Sequence, residues 1–411
     1  MKFCCRCFAR MVVPVVGIVL VTVLNADEPV ETAAMQITDK AKEIHAKSIV
    51  IDGHNDLPWK IRTDSNRAFE ILDIAKSQPQ LHTDIPRLKA GGVGAQFWSV
   101  WVPVRLGYDG VALLTTIEQI ELVKEMVATY PDHFESATTV ADIRRIYRDG
   151  KIASLIGVEG GHCIENSISN LNHLFDLGAR YMTITHSDSL DWADSATDDA
   201  KANGLSPFGK EVVRRMNQLG MMVDISHVSP QTMHDVLDTS LAPVIFSHSS
   251  ARAVADSPRN VPDDVLKRIP EKDGVVMVNY FSAFVVPEAV KVYHAGLDYR
   301  RELAKDHSPA EVSALYKVWK SKNPMPPGDI DDVLDHIDHL SRVTGWRHVG
   351  IGSDFDGISM VPVGLEDVST YPAITQGLLN RGYTEEQIQG ILGENLLRVM
   401  EKVEATARVR R

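Results

Sequence analysis

The sequence predicts a single catalytic domain built as a (β/α)8 barrel of the TIM type. Three observations predict it. Short β-branched or aromatic runs recur near positions 50, 97, 155, 183, 223, 245, 277 and 350, which makes eight strands. Segments with apolar residues at helical spacing separate most of them. Most of the runs hand over to His, Asp or Glu, and barrel enzymes place their chemistry at the C-terminal ends of their strands. A doubly wound open sheet is the alternative, and the placement of the polar residues favours the barrel.

Residues 37–47 read as a helix feeding the first strand, where Ile49, Val50 and Ile51 are apolar on consecutive positions, as in a strand covered on both faces. His54 and Asp56 follow two apart. In extended backbone they leave on one side, so an imidazole and a carboxylate can grip one cation. The second strand, 94–102, follows the Gly91-Gly92 break and carries Phe97, Trp98, Val100 and Trp101. After a helix over 111–130, the strand 152–158 ends in Glu159-Gly160-Gly161-His162. A helix over 169–177, closed by Gly178, precedes the strand 181–185, which ends in His186.

The rhythm continues with a helix over 208–219, a strand 221–225 ending in Ser226-His227, and a helix over 230–237. A very short strand 244–246 ends in Ser247-His248, and the strand 275–278 ends in Asn279-Tyr280. Residues 281–323 depart from the pattern, with many charges and helical spacing. A helix over 331–343 then leads to the last strand, 348–351, which ends in Gly352-Ser353-Asp354. Helices over 385–403 close the domain, whose expected span is 48–405, followed by a basic tail over 406–411.

A chain of 411 residues, 44% hydrophobic, can bury a large core. Lys2, Arg6 and Arg10, the apolar run 11–24 and then Asn25-Ala26 have the layout of a signal peptide cut after Ala26. The expectation is therefore export, to a periplasm or outside the cell, with membrane association only if the segment is retained. Without those residues 40 Lys and Arg face 55 acids, which argues against nucleic acid as a partner. Three of the four cysteines (Cys4, Cys5, Cys7) lie in that leader, and Cys163 alone makes no internal disulfide.

Collected from the strand ends, His54, Asp56, Glu159, His186, His227, His248 and Asp354 are enough for two metals. Three imidazoles and two carboxylates, one of them bridging through its two oxygens, fit a pair of ions about 3.5–4 Å apart, and Glu159 is the natural bridge. Nitrogen and oxygen donors without thiolate point to zinc, with manganese, cobalt or iron as alternatives. Two ions sharing a water would lower its pKa and supply hydroxide for attack on a carbonyl, so the reaction class is hydrolysis. Asp354 is the candidate proton carrier and His186 the candidate support for the oxyanion.

Other polar residues take blander readings. His162 and His173 read as structural or solvated, and Asp52 and Asp356 as turn caps or as groups orienting ligands. Asp329, Asp331 and Asp332 lack the glycine and distal glutamate of a calcium loop and read as a helix start. His336 and His339 are expected at the surface.

The motifs Ile51-Asp52-Gly53-His54-Asn55-Asp56-Leu57-Pro58-Trp59, Gly157-Val158-Glu159-Gly160, Thr183-Ile184-Thr185-His186-Ser187, Asp224-Ile225-Ser226-His227-Val228-Ser229, Phe246-Ser247-His248-Ser249-Ser250-Ala251, Arg259-Asn260-Val261-Pro262-Asp263-Asp264 and Asp354-Phe355-Asp356-Gly357 run in order through the chain. Together they resemble the membrane dipeptidases, or renal dipeptidases, of peptidase family M19. The resemblance implies a barrel with a binuclear zinc centre in which His54 and Asp56 hold one ion, His227 and His248 the other, and Glu159 bridges. It also implies that His186 contacts substrate, that Arg259 pairs with the substrate's terminal carboxylate and that Asp354 handles the proton. A guanidinium fork binds a carboxylate bidentately, which suits the role implied for Arg259.

The implied activity is cleavage of dipeptides with broad side-chain tolerance, often with a D-residue at the C-terminal position. A homodimer is among the expectations. The cysteines and apolar tail of the vertebrate members are lacking, so disulfide cross-linking and lipid anchoring do not carry over. Two other functions fit the same residues. One is an amidohydrolase of N-acyl amino acids or lactams, and the other is a catalytically silent metal-dependent binding protein.

Overall fold

In the computed structural model of the chain, Met1 and residues 35–409 are described. The expected leader, apart from Met1, lies outside the described residues, as does the end of the basic tail. The chain divides into two units, Met1–Ala34 and Met35–Arg411.

Nine parallel strands form the second unit's sheet: β1 (Val50–Asn55), β2 (Val93–Trp101), β3 (Phe134–Ser136), β4 (Ile152–Glu159), β5 (Ala179–Thr183), β6 (Met222–Asp224), β7 (Val244–Phe246), β8 (Val275–Val278) and β9 (Val349–Ile351). Their order is β2-β1-β9-β8-β7-β6-β5-β4-β3, and β2 also pairs with β4 from Ala95↔Ala153 to Trp101↔Glu159. That pairing closes the ring. The fold is an eight-stranded (β/α)8 barrel, and the open-sheet alternative falls because no edge remains at β2 or β4. β3, absent from the sequence reading, lies outside the ring. It pairs with Ile152–Ser154 along the edge of β4 that β5 takes over from Ile156.

Period-two alternation sorts the strand residues into two layers. Ile51, Ala95, Phe97, Ala153, Leu155, Tyr181, Met222, Ile245, Val275 and Met277 pack with Leu396, Leu397 and Met400 of the closing helix Asn395–Val409. Their neighbours Val50, Trp98, Val100, Ile156, Val158, Met182, Val223, Val244 and Val276 pack against the surrounding helices. Each fully buried Val, Leu, Ile, Phe or Met among them contributes about 1.5–3 kcal/mol. Along β4 the inner row runs Ala153, Leu155, Gly157, Glu159. The first two fill the core, and the last carries a carboxylate into the barrel mouth.

The helix Asp39–Lys47 packs on the domain through Ala41, Ile44 and His45. The irregular region after Tyr280 becomes three helices, Ser282–Val285, Pro287–Leu303 and Pro309–Lys322. The closing helices run Glu385–Gln389, a π-helical Gly390–Glu394, and Asn395–Val409, which continues past the boundary expected at 405. Among the described residues no helix is long and apolar enough to cross a membrane.

His336 and His339 are not at the surface. Both lie buried on the helix Ile330–Thr344, on the side that carries Val333, Leu334, Ile337 and Leu340. His336 accepts from the Ala251 N–H at Nδ1 (3.0 Å), and its Nε2 donates to the Val285 carbonyl (3.0 Å). Burial pushes its pKa down to about 4, so it is neutral. His339 Nε2 lies 2.8 Å from Asp263 Oδ1. A polar residue with two fixed partners can occupy a core-facing position that hydropathy alone assigns to solvent. Asp329, by contrast, starts that helix as expected, in a capping box with Asp332.

Candidate metal centre and cleft

The strand ends bring His54, Asp56, Glu159, His227 and His248 to one place, all buried. Glu159 divides its two oxygens between them. Oε2 lies 3.4 Å from His54 Nε2, which is itself 3.4 Å from Asp56 Oδ2. Oε1 lies 3.1 Å from His227 Nε2 and 3.5 Å from His248 Nε2. Burial pushes Glu159 up, but His54, His186 and His227 around it hold its pKa well below the usual carboxylate range, so it is an anion.

Local structure aims these groups. Asp56 stands at the head of the helix Leu57–Ser65 but caps none of its N–H groups, so its carboxylate is not spent on the turn. His227 and Asp354 have left-handed backbone, with φ of 65° and 67°. Such conformations cost about 1–3 kcal/mol each and collect at functional sites. Asp52, buried, accepts from the His54 and Ser353 N–H groups and from the Ser353 and Tyr371 hydroxyls, locking β1 to the end of β9. Asp356 accepts from the His82 N–H (2.8 Å). His162 is buried with Nε2 3.0 Å from the Val102 carbonyl, while His173 is exposed.

Around this centre opens a cleft of ≈ 1250 Å³. Trp59 and Trp101, in edge contact at 4.7 Å, line one side, and Phe281, Phe284 and Tyr293 line another. His186 lies in the cleft with Nε2 3.7 Å from Glu159 Oε1, and burial lowers its pKa. Asp354 accepts from Asn279 Nδ2 at 2.7 Å. Burial, with Asp56 and Glu159 nearby, pushes its pKa well up against the opposing pull of His54. Arg259, 4% exposed, donates from Nη2 to the His248 carbonyl (3.3 Å), and its Nε and Nη1 have no partner. Its head lies 5.2 Å from the Phe284 ring centre.

The chain matches the membrane dipeptidase family, peptidase family M19, over residues 38–411. It belongs to that family. An uncharacterized dipeptidase of Schizosaccharomyces pombe is 42% identical over 369 residues, 86% of this chain and 81% of the relative. The probable dipeptidase PvdM of Pseudomonas aeruginosa superposes with a TM-score of 0.80 at 25% identity, covering 90% of this chain and 98% of that one. A metallo peptidase of Rhodobacter sphaeroides, solved with a phosphinate mimic of the dipeptide L-Ala-D-Ala, shares the fold at 24% identity and a TM-score of 0.70, covering 87% of this chain and 100% of its own.

Membrane dipeptidases of family M19 are metallo-dipeptidases, and the donors of this member fit divalent cations. Among the described residues three groups of buried donors have their ligand atoms within 4.8 Å of one another: His54, Asp56 and Glu159; Glu159, His227 and His248; and His54, His248 and Asp354. Four-coordinate donors about 2.0–2.2 Å from an ion stand about 3.3–3.6 Å apart, close to the separations around Glu159. His54 Nε2 is buried with no hydrogen-bond partner. The Nε2 atoms of His227 and His248 lie 2.8 Å apart, a contact that two lone pairs sustain only with a proton or a cation between or beside them.

Sequence reading passed over the groups that orient the imidazoles in this dipeptidase. The Tyr181 hydroxyl donates to the Gly53 carbonyl (3.2 Å), so it accepts from His54 Nδ1–H (2.9 Å) and leaves Nε2 as the nitrogen that faces Asp56 and Glu159, where a bound cation would take the place of a proton. Ser247 donates to Asp224 Oδ2 (2.6 Å) and accepts from His248 Nδ1–H (2.7 Å), which leaves Nε2 facing Glu159. In the sequence Tyr181 was only the first residue of the strand 181–185. Gly157 makes room for its ring, since a Cβ there would lie 2.0 Å from it. Asp224 and Ser247 were visible only as motif neighbours of the histidines.

Proposed function

We propose that this chain is a zinc-dependent dipeptidase with two ions, one held by His54 and Asp56, the other by His227 and His248, and Glu159 shared between them. Bound there, the ions supply Lewis acidity toward the scissile carbonyl and acidify a water for hydrolysis. Arg259 offers Nε and Nη1 to the substrate's C-terminal carboxylate, which sets the peptide bond over Glu159. Asp354 takes the proton released from water and returns it to the departing nitrogen, its carboxyl held in position by Asn279. His186 faces the developing oxyanion as a donor. The observation that carries the reading is Arg259, a buried guanidinium with two unpartnered nitrogens, in the same cleft as a carboxylate divided between two donor sets. Export rests on the sequence of residues 1–26 alone.

An N-acyl amino acid would present the same carboxylate to Arg259, so the test compares a dipeptide with its N-acetyl form. The zinc-loaded protein is expected to cleave Gly-Leu, and to cleave N-acetyl-Gly-Leu far more slowly. Rapid cleavage of the acetylated form alone would replace the dipeptidase reading by the amidohydrolase one. A second expectation concerns the orienting shell. Tyr181→Phe removes the acceptor of His54 Nδ1–H and should weaken one ion's affinity by about 10–100-fold in chelator competition; an unchanged affinity for both ions would remove Tyr181 from the account.

A further inference from the structure

The segment 281–323, which lies between the motifs quoted above, supplies a wall of the cleft. The helices Pro287–Leu303 and Pro309–Lys322 form a hairpin that its aromatic residues hold closed. The Trp319 ring stacks on Tyr316 (6.0 Å) and Tyr299 (5.9 Å), and Gly296 lets it seat close, since a Cβ there would lie 2.8 Å from the indole. The first helix turns Tyr293, Leu297 and Arg301 toward the cleft, a spacing of four that keeps them on one face. At its inner end Tyr293 meets Phe281 edge-on at 5.5 Å and Phe284 at 6.3 Å, and Phe281 meets Phe284 at 4.9 Å. At the rim Arg301 pairs with Asp298 at 3.2 Å, both exposed.

We infer that Phe281, Phe284, Tyr293 and Leu297 form the subsite for the side chain of the substrate's C-terminal residue, and that it takes apolar and aromatic side chains. The inference rests on the dipeptidase reading and deepens it. A carboxylate held by Arg259 fixes the adjoining Cα one bond away. Arg259 in turn lies against Phe284, so the side chain on that Cα meets the aromatic cluster and then Leu297, one turn outward. The three rings and Leu297 offer an apolar side chain area to cover. A charged side chain there would lose water against three rings, and of the charges around them Arg259 is engaged by the terminal carboxylate while Asp298 and Arg301 pair with each other at the rim.

The test measures kcat/KM of the zinc-loaded protein for Gly-Gly, Gly-Leu, Gly-Phe, Gly-Asp and Leu-Gly, in the wild type, Leu297→Asp and Leu297→Ala. Gly-Leu and Gly-Phe are expected to exceed Gly-Gly by about tenfold or more, the discrimination an apolar pocket supplies, and Gly-Asp to fall below Gly-Leu. Leu297→Asp should cut the ratio of Gly-Leu to Gly-Gly by about tenfold, with Leu297→Ala moving it the same way by less, while the ratio of Leu-Gly to Gly-Gly changes by less than about twofold. Calorimetry on the metal-free protein, which requires no turnover, should show the same loss of Gly-Leu affinity relative to Leu-Gly. An unmoved Gly-Leu ratio, a loss confined to Leu-Gly, or a preference for Gly-Asp would overturn the subsite and leave the dipeptidase standing. Failure of the wild type to cleave any of the five would overturn the dipeptidase reading and the subsite with it.

Discussion

Asp354→Asn is expected to keep both metal ions and to lose about 10²–10⁴-fold in kcat on a dipeptide, the range that a positioned acid–base group contributes. The side chain is nearly isosteric and can keep a hydrogen bond with Asn279, so the pocket keeps its shape. What it loses is the capacity to hold a proton between the attack on the carbonyl and the departure of the amine. Burial and the nearby Asp56 and Glu159 push the Asp354 carboxyl up in the metal-free site, and bound cations would oppose that shift. The competing role is also built into the geometry, because Asp354 shares a group of three donors with His54 and His248. Metal content decides between the two: two ions per chain with turnover lost supports the proton carrier, whereas loss of an ion would make Asp354 a ligand. Full activity in the variant would remove it from the chemistry.

Arg259→Ala is the second large effect. A buried guanidinium that meets a carboxylate is a desolvated charge pair, and removing one partner of such a pair costs about 2–5 kcal/mol, or about 30- to 5000-fold in kcat/KM. The wild type should strongly prefer a dipeptide to its C-terminal amide, and the variant should treat the two nearly alike. Arg259→Lys restores charge but not the planar fork, so it should recover only part of the loss. Equal preference for acid and amide in the wild type would show that the terminal carboxylate goes elsewhere.

The barrel was legible because its strands are short β-branched runs ending in chemistry-bearing residues. His54-x-Asp56 and the histidines after β6 and β7 stand out against apolar strands, and the closed ring brings them within a few ångströms of Glu159. Arg259 carried no such mark, since it sits in a loop after Ser257-Pro258 and only the resemblance gave it a task. β3 is three residues long, too short for alternation to appear. His336 and His339 were misplaced because hydropathy cannot register a partner on another element, here Val285 and Asp263. The hairpin after Tyr280 showed helical spacing, but its closure depends on Trp319 meeting Gly296 and its place at the cleft on Tyr293 meeting Phe281 and Phe284, contacts invisible in one dimension.

The central claim is that Glu159 joins two cation sites. Crystals of the zinc-loaded protein, measured on both sides of the zinc absorption edge, test it most directly. The account predicts two anomalous peaks in each chain, one beside Oε2 with His54 and Asp56 and one beside Oε1 with His227 and His248. A single peak, or a pair away from Glu159, would contradict it.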